Sequence, residues 1–85
     1  MPAKSFRLPK KVNKAVLKLP LHIQNKIAGA FDRIRQNPSL GAKLKGELFN
    51  YYKFRVGDYR IIYKFDKKES LIEIVKIEHR QGVYR

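Results

Sequence analysis

Lys53, Arg55, Arg60 and Lys64 alternate with apolar and aromatic residues around Gly57-Asp58 in the stretch YYKFRVGDYRIIYKF, residues 51–65. A strand places every second side chain on one face, so the alternation predicts a hairpin with one apolar and one cationic face. Glycine first in a two-residue loop suits a type II′ turn. That register sets Val56 against Tyr59, Arg55 against Arg60, Phe54 against Ile61 and Tyr52 against Tyr63. Tyr52, Phe54, Val56, Tyr59, Ile61, Tyr63 and Phe65 then share the face that packs on the rest of the chain. Lys53, Arg55, Arg60, Ile62 and Lys64 share the other. Like charges directly opposed cost a sheet on the order of a few tenths to one kcal/mol. Folding alone does not ask for Arg55 against Arg60. An anion held between the two guanidinium groups, such as a phosphate, makes sense of the pair. The plainer account is a solvated strand face in a generally basic protein. A second concentration of chemistry is EHRQGVYR, residues 78–85, which brings His79, Arg80 and Tyr84 together. These side chains can contact a phosphodiester or move a proton on it. His22 reads as a surface residue on a helix.

The elements that must position these groups are legible in the apolar spacing. Ser5 to Leu8 reads as a short strand ended by Pro9. Val12, Ala15, Val16 and Leu19 mark one face of a helix over 10–19. Pro20 interrupts it and suits the first turn of a second helix, running from about 21 to 36 with Ile23, Ile27, Ala30, Phe31 and Ile34 as its buried stripe. Asn37-Pro38 stops that helix, because proline disfavours a helical residue before it. So short a break predicts an antiparallel helical hairpin. Residues 39–50 read as a loop with at most a short strand, punctuated by Gly41 and Gly46, with Leu40, Leu44 and Leu48 packing beneath. Strands are expected at about 51–56, 59–65 and 71–77. The last, LIEIVKI, reads as apolar on both faces and therefore central in the sheet. The expected fold is a single α+β domain over residues 1–85, a helical hairpin packed on a small, mainly antiparallel twisted sheet.

Composition narrows the partners. The chain has 85 residues, with 20 Lys and Arg against seven Asp and Glu, for a net charge of +13. Such a surface attracts polyanions. Nucleic acid leads, an acidic protein comes second and a membrane surface is a weaker third. There is no cysteine, which excludes a disulfide framework and a thiolate site. The two histidines lie far apart and the acids from Glu47 onward are scattered, so neither a metal-ligand motif nor paired carboxylates emerge. No cofactor is expected, and the chemistry is expected to be metal-independent. No apolar run is long enough to span a bilayer, and MPAKSFRLPKKVNK has no apolar secretory core. A cytoplasmic location is expected.

Taken together, LKGELFNYYKFRVGDYRIIYKF followed by IEHRQGVY, after a helical hairpin, resembles the RelE/ParE toxin superfamily over nearly the whole chain. GDYR alone is weak; the combination is specific. The resemblance implies a compact fold similar to small microbial ribonucleases and the toxin role in a type II toxin–antitoxin system. Toxins of the RelE branch bind the ribosomal A site and cleave mRNA there. The implied partners are a small acidic antitoxin that wraps the toxin, ribosomal RNA and mRNA, with operator DNA reached only through the antitoxin and no membrane. Lys53 and Arg55 fall on the basic pair of the family's second strand, and Arg60 on the arginine of its GDYR strand. Arg80 falls on the arginine after the last strand, and Tyr84 on the tyrosine beyond it. These five resemble the family's catalytic and RNA-positioning set. Lys43, Lys45, Lys64, His79 and Arg85 are the further candidate RNA contacts. The ParE branch, which poisons DNA gyrase, tends to lack the full set, so its presence favours RNA cleavage.

The matching mechanism is attack of an RNA 2′-hydroxyl on its own 3′ phosphate, leaving a 2′,3′-cyclic phosphate. It needs a base, charge stabilisation at phosphorus and an acid at the leaving 5′ oxygen. Lys53 is the first candidate for base, since arginine accepts protons poorly and neighbouring cations disfavour a protonated ammonium. Arg60 is expected to hold the phosphate with help from Arg55, and Arg80 to stabilise developing charge or assist the leaving oxygen. Tyr84 is expected to stack on a base or take part in proton transfer. So sparse a site suits dependence on the ribosome for substrate geometry. The competing expectations are a gyrase poison of the ParE type and a non-catalytic basic RNA-binding module or degenerate toxin.

Overall fold

In a computed structural model, residues 2–44, 46 and 50–79 are described. The elements run β1 (Ser5–Arg7), α1 (Lys10–Leu17), α2 (Leu21–Gln36), β2 (Ala42–Lys43), β3 (Tyr51–Val56), β4 (Tyr59–Asp66) and β5 (Leu71–His79). The five strands form one sheet in the order β1-β5-β4-β3-β2. Only β1 and β5 pair in parallel; the other pairs are antiparallel. Both helices cover the same face, with α1 over β5 and α2 over β3. This is the expected α+β architecture. None of the described helices is long and apolar enough to cross a membrane.

Each helix starts at a proline. Pro9 and Pro20 occupy the positions before α1 and α2 with ψ near 147°, an extended geometry that proline's fixed φ favours. Helix α1 ends at Leu17, two residues short of the expected end. Beyond that end the Gln24 side chain donates to the carbonyls of Leu17 at 3.2 Å and Leu19 at 2.8 Å. A side chain from α2 thereby satisfies carbonyls that the end of α1 leaves unpaired, and it ties the two helices at their junction. Leu19 packs against the core from outside the helix, and Ala15 is exposed. Helix α2 ends where Asn37 takes φ −141° and ψ 88°, as the residue before a proline must.

The core lies between helices and sheet. Ile27, Ile34, Ile61, Tyr63, Ile72 and Ile74 are fully buried, and each aliphatic contributes roughly 1.5–3 kcal/mol by leaving water. Phe54, Val56, Phe65, Ile23 and Phe31 pack around them. The Tyr63 ring stacks on Tyr52 with centroids 5.2 Å apart. Its hydroxyl donates to the Pro38 carbonyl at 2.7 Å and accepts from the Gly41 amide at 2.9 Å. One buried phenol therefore anchors the segment between α2 and β2. Glycine is required at 41: a Cβ there would stand 2.7 Å from the Lys53 carbonyl oxygen and 2.9 Å from the Tyr63 hydroxyl.

Strand β5 departs from expectation in one respect. Ile62 pairs with Lys76 but Tyr63 pairs with Ile74, so Val75 is an extra residue without a partner on β4, a β-bulge. The strand is not apolar on both faces. Ile72 and Ile74 face the helices, Val75 is extruded and 38% exposed, and beyond it Ile77 takes over the core-facing role. The apolar run in the sequence records a change of phase within a strand covered on one face only. It still lies inside the sheet, between β1 and β4.

Candidate active site

The hairpin of β3 and β4 has the register expected from sequence. Arg55 pairs with Arg60, Phe54 with Ile61, Lys53 with Ile62 and Tyr52 with Tyr63. Gly57 has φ +59°, and Ser70 is the only non-glycine with positive φ among the described residues. Asp58 therefore keeps a negative φ, the signature of a type II′ turn.

Lys53, Arg55, Arg60 and Lys64 consequently share the sheet face that the helices leave open. Arg55 is exposed, and its Nε donates to the Gly57 carbonyl at 3.3 Å, which leans the side chain toward the turn. Arg60 is half-buried, flanked by Arg55 on one neighbouring strand and Glu78 on the other. Lys53 is exposed between Ala42 and Ile62. Lys64 stands across from Tyr51 and holds its ammonium 5.9 Å from the centre of that ring, within the range of a cation–π contact.

This face is not a flat solvated surface. Ile62, though it points away from the helices, is only 8% exposed. It lies in a concavity of about 400 Å³ with Leu44, Val75 and Tyr51, rimmed by Lys53, Arg60, Lys76 and Glu78. Lys53 and Arg60 also line an adjoining hollow of about 320 Å³ that reaches Gly41 and Arg55. The carboxylate of Glu78 pairs with the Lys76 ammonium at 3.1 Å. An anion entering here meets Lys53 and Arg60 together, with apolar surface beside them.

The remaining sequence candidates divide into two groups. Lys43 pairs with Tyr52 and His79 with Tyr59, so both belong by register to the helix-covered side and not with Lys53. The His79 ring meets Tyr59 edge-on, with centroids 4.7 Å apart. Lys45, Arg80, Tyr84 and Arg85 lie outside the described residues. Of the five catalytic candidates, Lys53, Arg55 and Arg60 are thus brought together on one face. Tyr51, Lys76 and Glu78 are polar lining residues absent from the candidates drawn from sequence. Tyr51 has the parity of Lys53 and was recoverable from alternation. Lys76 and Glu78 were not, because their face depends on the bulge at Val75.

A family model described as the ParE toxin of type II toxin–antitoxin systems matches residues 7–84. The chain belongs to the RelE/ParE toxin superfamily. Members of this family are toxins of type II toxin–antitoxin systems. Two toxins of Mycobacterium tuberculosis resemble it in sequence. Toxin RelE is 31% identical over 80 residues, 93% of this chain and 72% of that protein. Toxin RelG is 32% identical over 57 residues, 66% of each, so the match spans just under two thirds of RelG. In three dimensions the chain is similar to the toxin–antitoxin complex RelBE2 from M. tuberculosis, with TM-score 0.80, 27% identity, and 94% of this chain and 100% of that one covered. It is also similar to the archaeal RelE-RelB complex from Pyrococcus horikoshii, with TM-score 0.76, 28% identity and coverages of 94% and 97%. A mutant Escherichia coli RelE in the free state, 16% identical with TM-score 0.79 over 99% of this chain and 90% of that one, shares the fold.

Proposed function

We propose that this superfamily member is a ribosome-dependent mRNA endoribonuclease that inhibits translation when its antitoxin is absent. The observation that carries the reading is Arg55 set directly against Arg60 beside Lys53, on a face the core does not use. The opposition works against folding and favours an anion bound between the strands. RNA supplies that anion together with its own nucleophile. Lys53 takes the 2′-hydroxyl proton, and Arg60, with Arg55, offsets the charge that builds at phosphorus. Arg80 and Tyr84 complete the site in this proposal, assisting the leaving 5′ oxygen and stacking on a base. Placement of the substrate by the ribosome supplies orientation that so small a concavity lacks. The cognate partner is an acidic antitoxin, in keeping with the RelE–RelB complexes among the similar structures. A net charge of +13 suits both an acidic partner and ribosomal RNA.

The test is induced expression in bacterial cells with mapping of mRNA 5′ ends. Cuts within codons of translated messages are expected. Intact messages during growth arrest would sink the proposal. Arg80→Ala is expected to abolish cutting while the protein remains folded. A second reading, a gyrase poison, draws on the ParE name of the matching family model. It predicts double-strand DNA breaks with intact mRNA in the same cells.

A further inference from the structure

The concavity beside Lys53 and Arg60 contains a group that a pure phosphate site does not need. Glu78 lines it, with a side chain only 29% exposed. A carboxylate facing a polyanion is repulsive unless it accepts hydrogen bonds from donors on the ligand. Besides Lys76, the other surfaces here are the apolar Leu44, Ile62 and Val75 and the ring of Tyr51, which suit a planar, weakly hydrated group. An apolar floor, an aromatic wall, Lys53 and Arg60 as cations for a phosphate, and a carboxylate held by Lys76 describe a receptor for a single nucleotide.

We propose that this concavity is a nucleobase-reading subsite in which Glu78 selects bases carrying an exocyclic amino group and rejects uracil. The inference rests on the RNA-cleaving function proposed above and adds a specificity-determining residue to it. The phosphate goes to Lys53 and Arg60, and the base lies over Ile62 and Val75 against Tyr51. Adenine, cytosine and guanine each present an amino group to the carboxylate. Uracil presents two carbonyl oxygens flanking one imide N–H, and those oxygens repel Glu78. Lys76, 3.1 Å from one carboxylate oxygen, holds Glu78 in place. A carboxylate oxygen has lone pairs enough to serve Lys76 and a base together.

The experiment titrates the full chain with the 3′-monophosphates of adenosine, cytidine, guanosine and uridine, followed by calorimetry. The three amino-bearing nucleotides are expected to bind roughly tenfold more tightly than the uridine nucleotide, the scale of one good base-edge contact. Glu78→Gln, which keeps the shape and removes the charge, is expected to bring that ratio close to one. Equal affinity of the unsubstituted protein for all four overturns the inference without reference to any variant. So does a Glu78→Gln protein that binds all four more tightly by one common factor, which marks Glu78 as a mere counter-charge to Arg60. Mapping cleavage sites on translated mRNA with both proteins separates the two proposals. Absence of cleavage by the unsubstituted protein removes the enzymatic function and leaves the titration to decide the subsite. Cleavage with the same base distribution in both proteins removes the subsite alone.

Discussion

Arg60 and Glu78 face each other across β4 and β5 because Val75 is left out of the ladder between them and the core. In an unbroken alternation from Ile72 and Ile74, Lys76 and Glu78 would point into the helices. The bulge absorbs one residue, returns Ile77 to the core and places Lys76 beside Ile62 and Glu78 beside Arg60 on the open face. One extruded valine thus keeps two charges out of an apolar interior and furnishes the site with its carboxylate.

The bulge predicts an unusual tolerance. Deleting Val75 joins Ile74 directly to Lys76 and converts the pairing to a regular ladder with every face preserved. The deletion is expected to cost less than about 1.5 kcal/mol, in the lower part of the range for single changes. Ile74→Ala, one residue away and fully buried, is expected to cost roughly 2–5 kcal/mol. Urea unfolding of both variants checks the contrast, and a deletion as damaging as Ile74→Ala would refute the phase argument.

The opposed arginines predict a conflict between stability and function. Arg55→Thr removes a like-charge pair and inserts a residue suited to strands. A gain of a few tenths to one kcal/mol is expected in thermal or urea unfolding. Under the proposed function the same variant loses most of its growth arrest on induction. A destabilised protein with full toxicity would contradict both halves.

Tyr63→Phe removes the hydroxyl that joins Pro38 to Gly41 and leaves a buried amide and a buried carbonyl without that partner. The expected loss is about 1–3 kcal/mol. Gly41→Ala is expected to be at least comparable, at roughly 1–3 kcal/mol, because the added methyl meets the Lys53 backbone. That shift would also move Lys53 itself, so toxicity should fall along with stability. Chemical denaturation together with an induction assay measures both.

Tyr63 also sets an alkaline limit. Burial pushes its phenol above the ordinary tyrosine value; the Gly41 amide pulls the other way, and nearby Tyr52 adds to the rise. In the unfolded chain the phenol ionises near pH 10, below the folded value. Its contribution to stability is therefore fully present below about pH 10 and is lost as pH rises through the folded value. Urea midpoints measured from pH 8 to 11 should fall more steeply for the unsubstituted protein than for Tyr63→Phe. Parallel slopes would show that Tyr63 is not the group responsible.

The sequence by itself determined the helices, the β3–β4 hairpin and the cationic face, because each rests on local rules. Apolar spacing marks the stripe of α2, prolines bound the helices, and Gly57 sets the turn that brings Arg55 against Arg60. Side-chain parity then puts Lys53 and Lys64 on the same side with no long-range information. What tertiary structure decided is how β5 lies against that hairpin. Whether a strand keeps its phase or extrudes a residue depends on which neighbours its side chains meet across the sheet. The run LIEIVKI is compatible with either outcome until Ile77 has a helix to pack beneath. The burial of Ile62, the seat of Glu78 beside Arg60 and the placement of Lys43 and His79 with the helix-covered side all follow from pairings between distant segments. For that reason the clustered cations of the open face were legible in the chain, and the placement of β5 beside them was not.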